Sequence, residues 1–121
     1  MVFARKTNDA LASLVKQIEN VIKENMDQKV ASFVNILGED EQATRKAARR
    51  FAEEHDVSDV AIVVPRDHEN GPPSFKISPD AEVTVMLYRN TTVKANHSTG
   101  PDGLTDKRIA AIVADTAKIL E

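Results

Sequence analysis

Glu82 and His97 are the two residues whose types and spacing suit acid–base chemistry. Glu82 opens the β-rich run 82–88, and His97 follows a second run, 92–96. In an antiparallel hairpin the start of one strand lies beside the end of the other. A carboxylate would then stand next to an imidazole, an acid–base pair. Thr7 and Ser98 are the hydroxyls available as nucleophiles. Such a set is recognised by its geometry rather than by its presence in a sequence. Glu82 and His97 are therefore weak catalytic candidates, and no catalytic residue is assigned from the sequence. Asp67-His68-Glu69, with His55 and Asp56 upstream, has metal-ligating types. No helical His pair or other zinc spacing accompanies it. It reads as a solvated loop, with no metal site and no cofactor expected.

The chain has 121 residues and no cysteine. Thiolate nucleophiles, redox pairs and cysteine metal ligands are excluded. The net charge of −3 gives no basic field for nucleic acid, and aromatic residues at 4% offer few stacking platforms. No apolar run approaches membrane-spanning length. The expected partner is a protein or a small molecule, with neither nucleic acid nor membrane involved. Charge and polarity follow Met1-Val2-Phe3-Ala4 at once, so no signal peptide is read. A processed or cut chain would look the same, which leaves the compartment open.

The elements that must position these residues follow from periodicity. Residues 1–4 are a short apolar strand, read as cut short at its start. Thr7 or Asn8 is an N-cap. Leu11, Leu14, Val15, Ile18, Val21 and Ile22 recur at helical spacing up to about Asn25, with Lys16, Gln17, Glu19, Asn20 and Lys23 on the opposite face. Residues 30–37 read as a buried strand ended by Gly38. Residues 39–54 read as a second helix, and 57–64 as a strand stopped by Pro65. Gly71, Pro72, Pro73 and Pro79 mark a loop, with one helical turn around 74–77. Residues 82–88 and 92–96 form a hairpin around Arg89-Asn90-Thr91. Gly100-Pro101-Asp102-Gly103 is a loop, and Thr105 caps a last helix whose stripe is Ile109, Ile112, Val113, Thr116, Ile119 and Leu120. The fold class is α/β, in the order β-α-β-α-β-β-β-α. A mixed sheet of about five strands with helices on both faces is expected, as one domain over 1–121.

This order resembles the thioredoxin-like fold, and specifically its redoxin (peroxiredoxin-related) branch. Met1 to Ala4 is similar to the end of the strand before the family's redox motif. Val34-Asn35-Ile36-Leu37-Gly38-Glu39-Asp40 resembles the next strand and the acidic start of its helix. Ala48 to His55, then Val57 to Val64, resembles the redoxin helix and the strand after it. Glu82 to Tyr88 resembles the strand that follows the family's cis-proline, and Leu104 onward its terminal helix. The departures bear on function. Where the resemblance implies Cys-x-x-Cys, this chain has Thr7-Asn8-Asp9-Ala10. Where it implies the cis-proline, it has Val83. The peroxiredoxin cysteine, with its preceding threonine and supporting arginine, is absent too. The resemblance implies a scaffold without its redox chemistry, used for binding. The binding positions are then Thr7, Asn8, Asp9 and Val83. A cysteine-free enzyme built on Glu82 and His97 is the alternative, as is a fragment of a larger redoxin whose cysteine lies upstream.

In open α/β sheets, ligands bind beyond the carboxyl ends of the strands. Here that edge gathers Arg5 to Asp9, Ala81 to Val83 and Asn96 to Ser98. The start of the first helix suits a small anion or a peptide carboxylate, but capping alone explains Thr7, Asn8 and Asp9. Arg45, Lys46, Arg49 and Arg50 are flanked by acids and read as a solvated helix face. Asn90-Thr91-Thr92 and Asn96-His97-Ser98 match the glycosylation sequon, which matters only in a eukaryotic secretory setting. Residues 92–96 are an expected sheet edge, discouraged by Lys94, through which a homodimer could form.

Overall fold

A computed structural model describes residues 1–78, 80–90, 92–99 and 103–120, the side chain of Ser74 excepted. Pro79, Thr91, Gly100, Pro101 and Asp102, which the sequence reading places in loops or turns, lie outside the described residues. The described elements are β1 (Val2–Ala4), α1 (Asp9–Glu24), β2 (Phe33–Ile36), α2 (Glu41–Glu54), β3 (Ala61–Val63), β4 (Val83–Arg89), β5 (Thr92–Ser98) and α3 (Asp106–Asp115). Single 3-10 turns lie at Met26–Gln28, Pro73–Phe75 and Thr116–Lys118.

The five strands form one sheet in the order β3-β2-β1-β4-β5. β1, β2 and β3 are parallel, while β4 runs antiparallel to β1 and β5 antiparallel to β4. β1 has only three residues, yet it is the central strand. Val2, Phe3 and Ala4 are all buried, because neighbours cover both of its sides and both of its faces.

The expectation of helices on both faces is corrected here. Val2, Ala4, Val34, Ile36, Val83, Val85 and Leu87 alternate onto one face. That face packs against Leu11, Leu14 and Val15 of α1, Ala48 and Phe51 of α2, and Ile109 and Ile112 of α3. The reason is topological. β1-α1-β2 and β2-α2-β3 both step in the same direction across the sheet, and right-handed crossovers then put both helices on the same side. The other face is covered in part by the segment between β3 and β4. Its Phe75 ring lies 5.5 Å from that of Phe3. Gly71, at φ +76°, passes beside Phe3 and Ile77, where a side chain would be crowded and its backbone strained.

Local signals set the element ends. Asn8, not Thr7, caps α1, since its side chain accepts the Leu11 N–H. Asp40 accepts from Ala43 at α2, and Thr105 from Arg108 at α3. Asn90 takes the left-handed conformation (φ 57°) in the hairpin turn, a role a glycine would otherwise fill. A second correction concerns Glu19. The sequence reading puts it among the polar residues on the solvent face of α1, but it is buried.

Candidate functional site

The carboxyl end of β1 leads straight into the candidate site. Arg5 donates its backbone N–H to the Glu82 carbonyl (2.9 Å). Its guanidinium donates to three more carbonyls, those of Ala81 (3.1 Å), Glu69 (2.8 Å) and Ser78 (3.3 Å). Arg5 is thus committed to stitching the approach to β4 onto the end of β1. Asn8 is committed as well. Its Oδ1 accepts the Leu11 N–H at 3.0 Å, and its Nδ2 donates to Glu82 Oε1 at 3.2 Å. The second Glu82 oxygen stands over Gly103, where a Cβ would come within 2.7 Å of it.

Val83, a binding position expected from the resemblance, is buried. Its N–H donates to Thr99 Oγ1 (3.0 Å), and its carbonyl accepts the Thr99 N–H (2.9 Å). No peptide bond among the described residues is cis. Thr99 was not singled out in the sequence, although it lies next to Asn96-His97-Ser98. Thr7 and Asp9 are exposed. Thr7 lines an open cleft of about 370 Å³ together with Lys6, Ile36, Gly38, Asp40 and Thr44. Asp9 sits in the first turn of α1, where its charge suits the helix dipole.

Glu82 and His97 are not brought together, which corrects the pairing read from the hairpin. His97 pairs with Val85 in the β4–β5 register, three residues along from Glu82. Its side chain meets α3 instead, with Nε2 2.7 Å from Asp115 Oδ2. Lys118 Nζ lies 3.4 Å from the other Asp115 oxygen. The hydrogen bond from His97 holds the Asp115 carboxyl below its usual range; desolvation opposes it, and the bond and charge of Lys118 add to the lowering. Asp115 lies 18 residues from His97 on another element, so hairpin register alone gave no signal for it.

His68 is tied down rather than offered to an ion. Its Nδ1 is 2.8 Å from the Gly38 carbonyl, and its own carbonyl accepts the Gly38 N–H at 2.7 Å. Among the described residues no three His, Asp or Glu side chains form a group able to hold a metal.

Glu19 is the most constrained carboxylate described. Its Oε2 accepts the backbone N–H groups of Ser58 (3.0 Å) and Asp59 (2.8 Å), while Oε1 lies 3.3 Å from Lys16 Nζ. Lys16 also donates to the Asp56 carbonyl at 2.9 Å. Burial pushes the Glu19 carboxyl up, but the Asp59 and Ser58 donors and Lys16 together outweigh it and leave it below its ordinary value. The pair fastens the 56–59 turn immediately before β3.

A larger cavity, about 560 Å³, lies at the opposite end of the sheet. Val2, Ile18, Val85, Leu87 and Ile119 are among its walls, and Asp27, Lys29 and Arg89 are among its charged lining. The Met1 amine donates there to the Met86 carbonyl (2.8 Å), and burial lowers its pKa to about 6. No described helix is long and apolar enough to cross a membrane. Compared with protein-family models, curated proteins and solved structures, the chain finds no match.

Proposed function

We propose that this chain is a thioredoxin-like domain without redox chemistry, and that it works by binding or scaffolding rather than by turnover. The element order β-α-β-α-β-β-β-α and the mixed sheet support the fold assignment. The observation that carries the functional reading is how the cleft residues are used. Asn8 caps α1 and holds Glu82, and Val83 is locked to Thr99. Polar groups that catalysis would need facing a substrate are spent on each other. With no cysteine in the chain, thiolate attack is excluded by composition.

Purified chain assayed for disulfide reduction, peroxide reduction and ester hydrolysis is expected to give no turnover above buffer. Turnover that disappears in Glu82→Gln or His97→Ala would overturn the reading in favour of a cysteine-free enzyme. The structure gives that alternative no support, because His97 is engaged by Asp115 and lies away from Glu82.

A further inference from the structure

The segment between β3 and β4 carries Asn70-Gly71, the single Asn-Gly pair in the sequence. Asn70 is exposed and Gly71 is buried. An asparagine before a glycine is chemically labile, because no side chain on the following residue shields its backbone nitrogen from the asparagine carboxamide. The reaction needs no enzyme and no cofactor. The Gly71 nitrogen gives up its proton to hydroxide and attacks Cγ of Asn70. The N–Cγ bond forms, the Cγ–Nδ2 bond breaks, and ammonia leaves, taking a proton from water and so restoring the hydroxide. Water then opens the five-membered succinimide at either carbonyl, which leaves aspartate or isoaspartate at position 70. One water is consumed and one ammonia released, with nothing oxidised or reduced.

The fold withholds the nucleophile. The Gly71 N–H donates to the Asp67 carbonyl at 2.8 Å and closes a turn over 67–71, with Gly71 itself at φ +76°. A buried N–H held by a carbonyl gives up its proton less readily than one in water, since the anion left behind would be neither solvated nor paired. The turn is pinned from outside. His68 makes two hydrogen bonds with Gly38 (2.7 and 2.8 Å), Arg5 donates to the Glu69 carbonyl (2.8 Å), and Gly71 lies against Phe3 and Ile77. For attack, the Gly71 nitrogen must leave Asp67 and face the Asn70 side chain, and these ties resist that rotation. Phe3, Arg5 and Gly38 belong to β1 and to the ends of β1 and β2, so the protection lasts only while the segment is docked on the sheet.

We infer that Asn70 is a self-modification site gated by this docking. When the segment lifts from the sheet, the Asn70-Gly71 linkage rearranges, and the change then keeps the segment from settling back. Isoaspartate lengthens the backbone of the turn by one carbon, and both products add a carboxylate beside Asp67 and Glu69. Neither a ligand nor a partner is needed, so the inference stands apart from the binding reading.

The test ages the whole chain in mildly alkaline buffer, folded and in guanidinium chloride, and follows conversion of Asn70 by peptide mass mapping. The folded chain should convert at least ~10-fold more slowly than the denatured one, because only its opened fraction reacts. Arg5→Ala frees the Glu69 carbonyl, and Phe75→Ala loosens the cover over Phe3. Each should speed conversion in the folded chain by ~3-fold or more, as the loss of one modest contact would. Asn70→Gln would have to close a six-membered ring and should abolish the conversion. Amide hydrogen exchange on the same samples separates local lifting, with faster exchange at Glu69, Asn70, Gly71 and Phe75 alone, from global unfolding, with β1 opening as well. Local acceleration in either variant sustains the gate. Equal rates in the folded and denatured chains, acceleration in neither variant, or acceleration only where β1 also opens would overturn the inference. So would a converted chain whose amides at 69–71 exchange as slowly as before.

Discussion

Glu19 and Glu82 are two glutamates that hold segments together, and they do so in opposite surroundings. Glu19 is buried between α1 and the turn before β3, accepting two backbone N–H groups and meeting one lysine. Glu82 is half-buried at the end of β1, accepting one side-chain amide and standing over Gly103. The residue whose position suggested chemistry is the less constrained of the two. The residue that its charge assigned to solvent is an anchor of the fold. Burial accounts for the difference. A buried carboxylate has little water to fall back on when its donors are lost, whereas a half-exposed amide–carboxylate bond competes with solvent.

Substitution tests the contrast directly. Glu19→Ala removes the acceptor of the Ser58 and Asp59 N–H groups, and about 1–3 kcal/mol of stability should be lost in urea unfolding. Asn8→Ala removes the α1 cap and the tie to Glu82 together, for about 1 kcal/mol. Glu82→Gln keeps an oxygen to accept from Asn8 and should cost under ~1 kcal/mol. If Glu82→Gln proved as damaging as Glu19→Ala, the distinction between the two sites would collapse.

The pH dependence sharpens the same comparison. Glu19 has a folded pKa below its unfolded value. Its contribution is fully present above the ordinary glutamate range, about pH 4 to 5. It is lost as pH falls through the lower, folded value, because the unfolded chain takes up the proton first. Glu19→Gln should flatten this acid limb of a plot of stability against pH. A second effect lies near neutrality. The Met1 amine has a folded pKa of about 6, below its unfolded value of 8.0. Between those values the unfolded state binds more protons, so the stability of the chain beginning at Met1 should rise from pH 6 to 8.

The periodicity of α1, its asparagine cap and the hairpin around Asn90 were legible because each rests on contacts within a few residues. The helix boundaries and the polar cap atoms follow from that local chemistry. The pairing of His97 was not legible. Its partner, Asp115, comes from α3, which is brought over β5 only when the apolar stripe of Ile109 and Ile112 docks on the sheet. Glu19 was misread because its charge was taken to mean solvent, although i,i+4 and i,i+7 spacing sets it beside the buried Val15 and Ala12. The backbone donors that satisfy it there arrive from 39 to 40 residues further along.

By itself the sequence determined that this chain has no thiol chemistry, since it contains no cysteine. It also determined where its helices start, since a cap needs only a side chain and the next turn of backbone. Tertiary structure decided that all three helices share one face, because successive crossovers of one hand put α1 and α2 there and α3 packs against α1. It also decided which carboxylate is buried and which base each acid meets. Those outcomes depend on what residues distant in the chain bring alongside, and no local pattern encodes them.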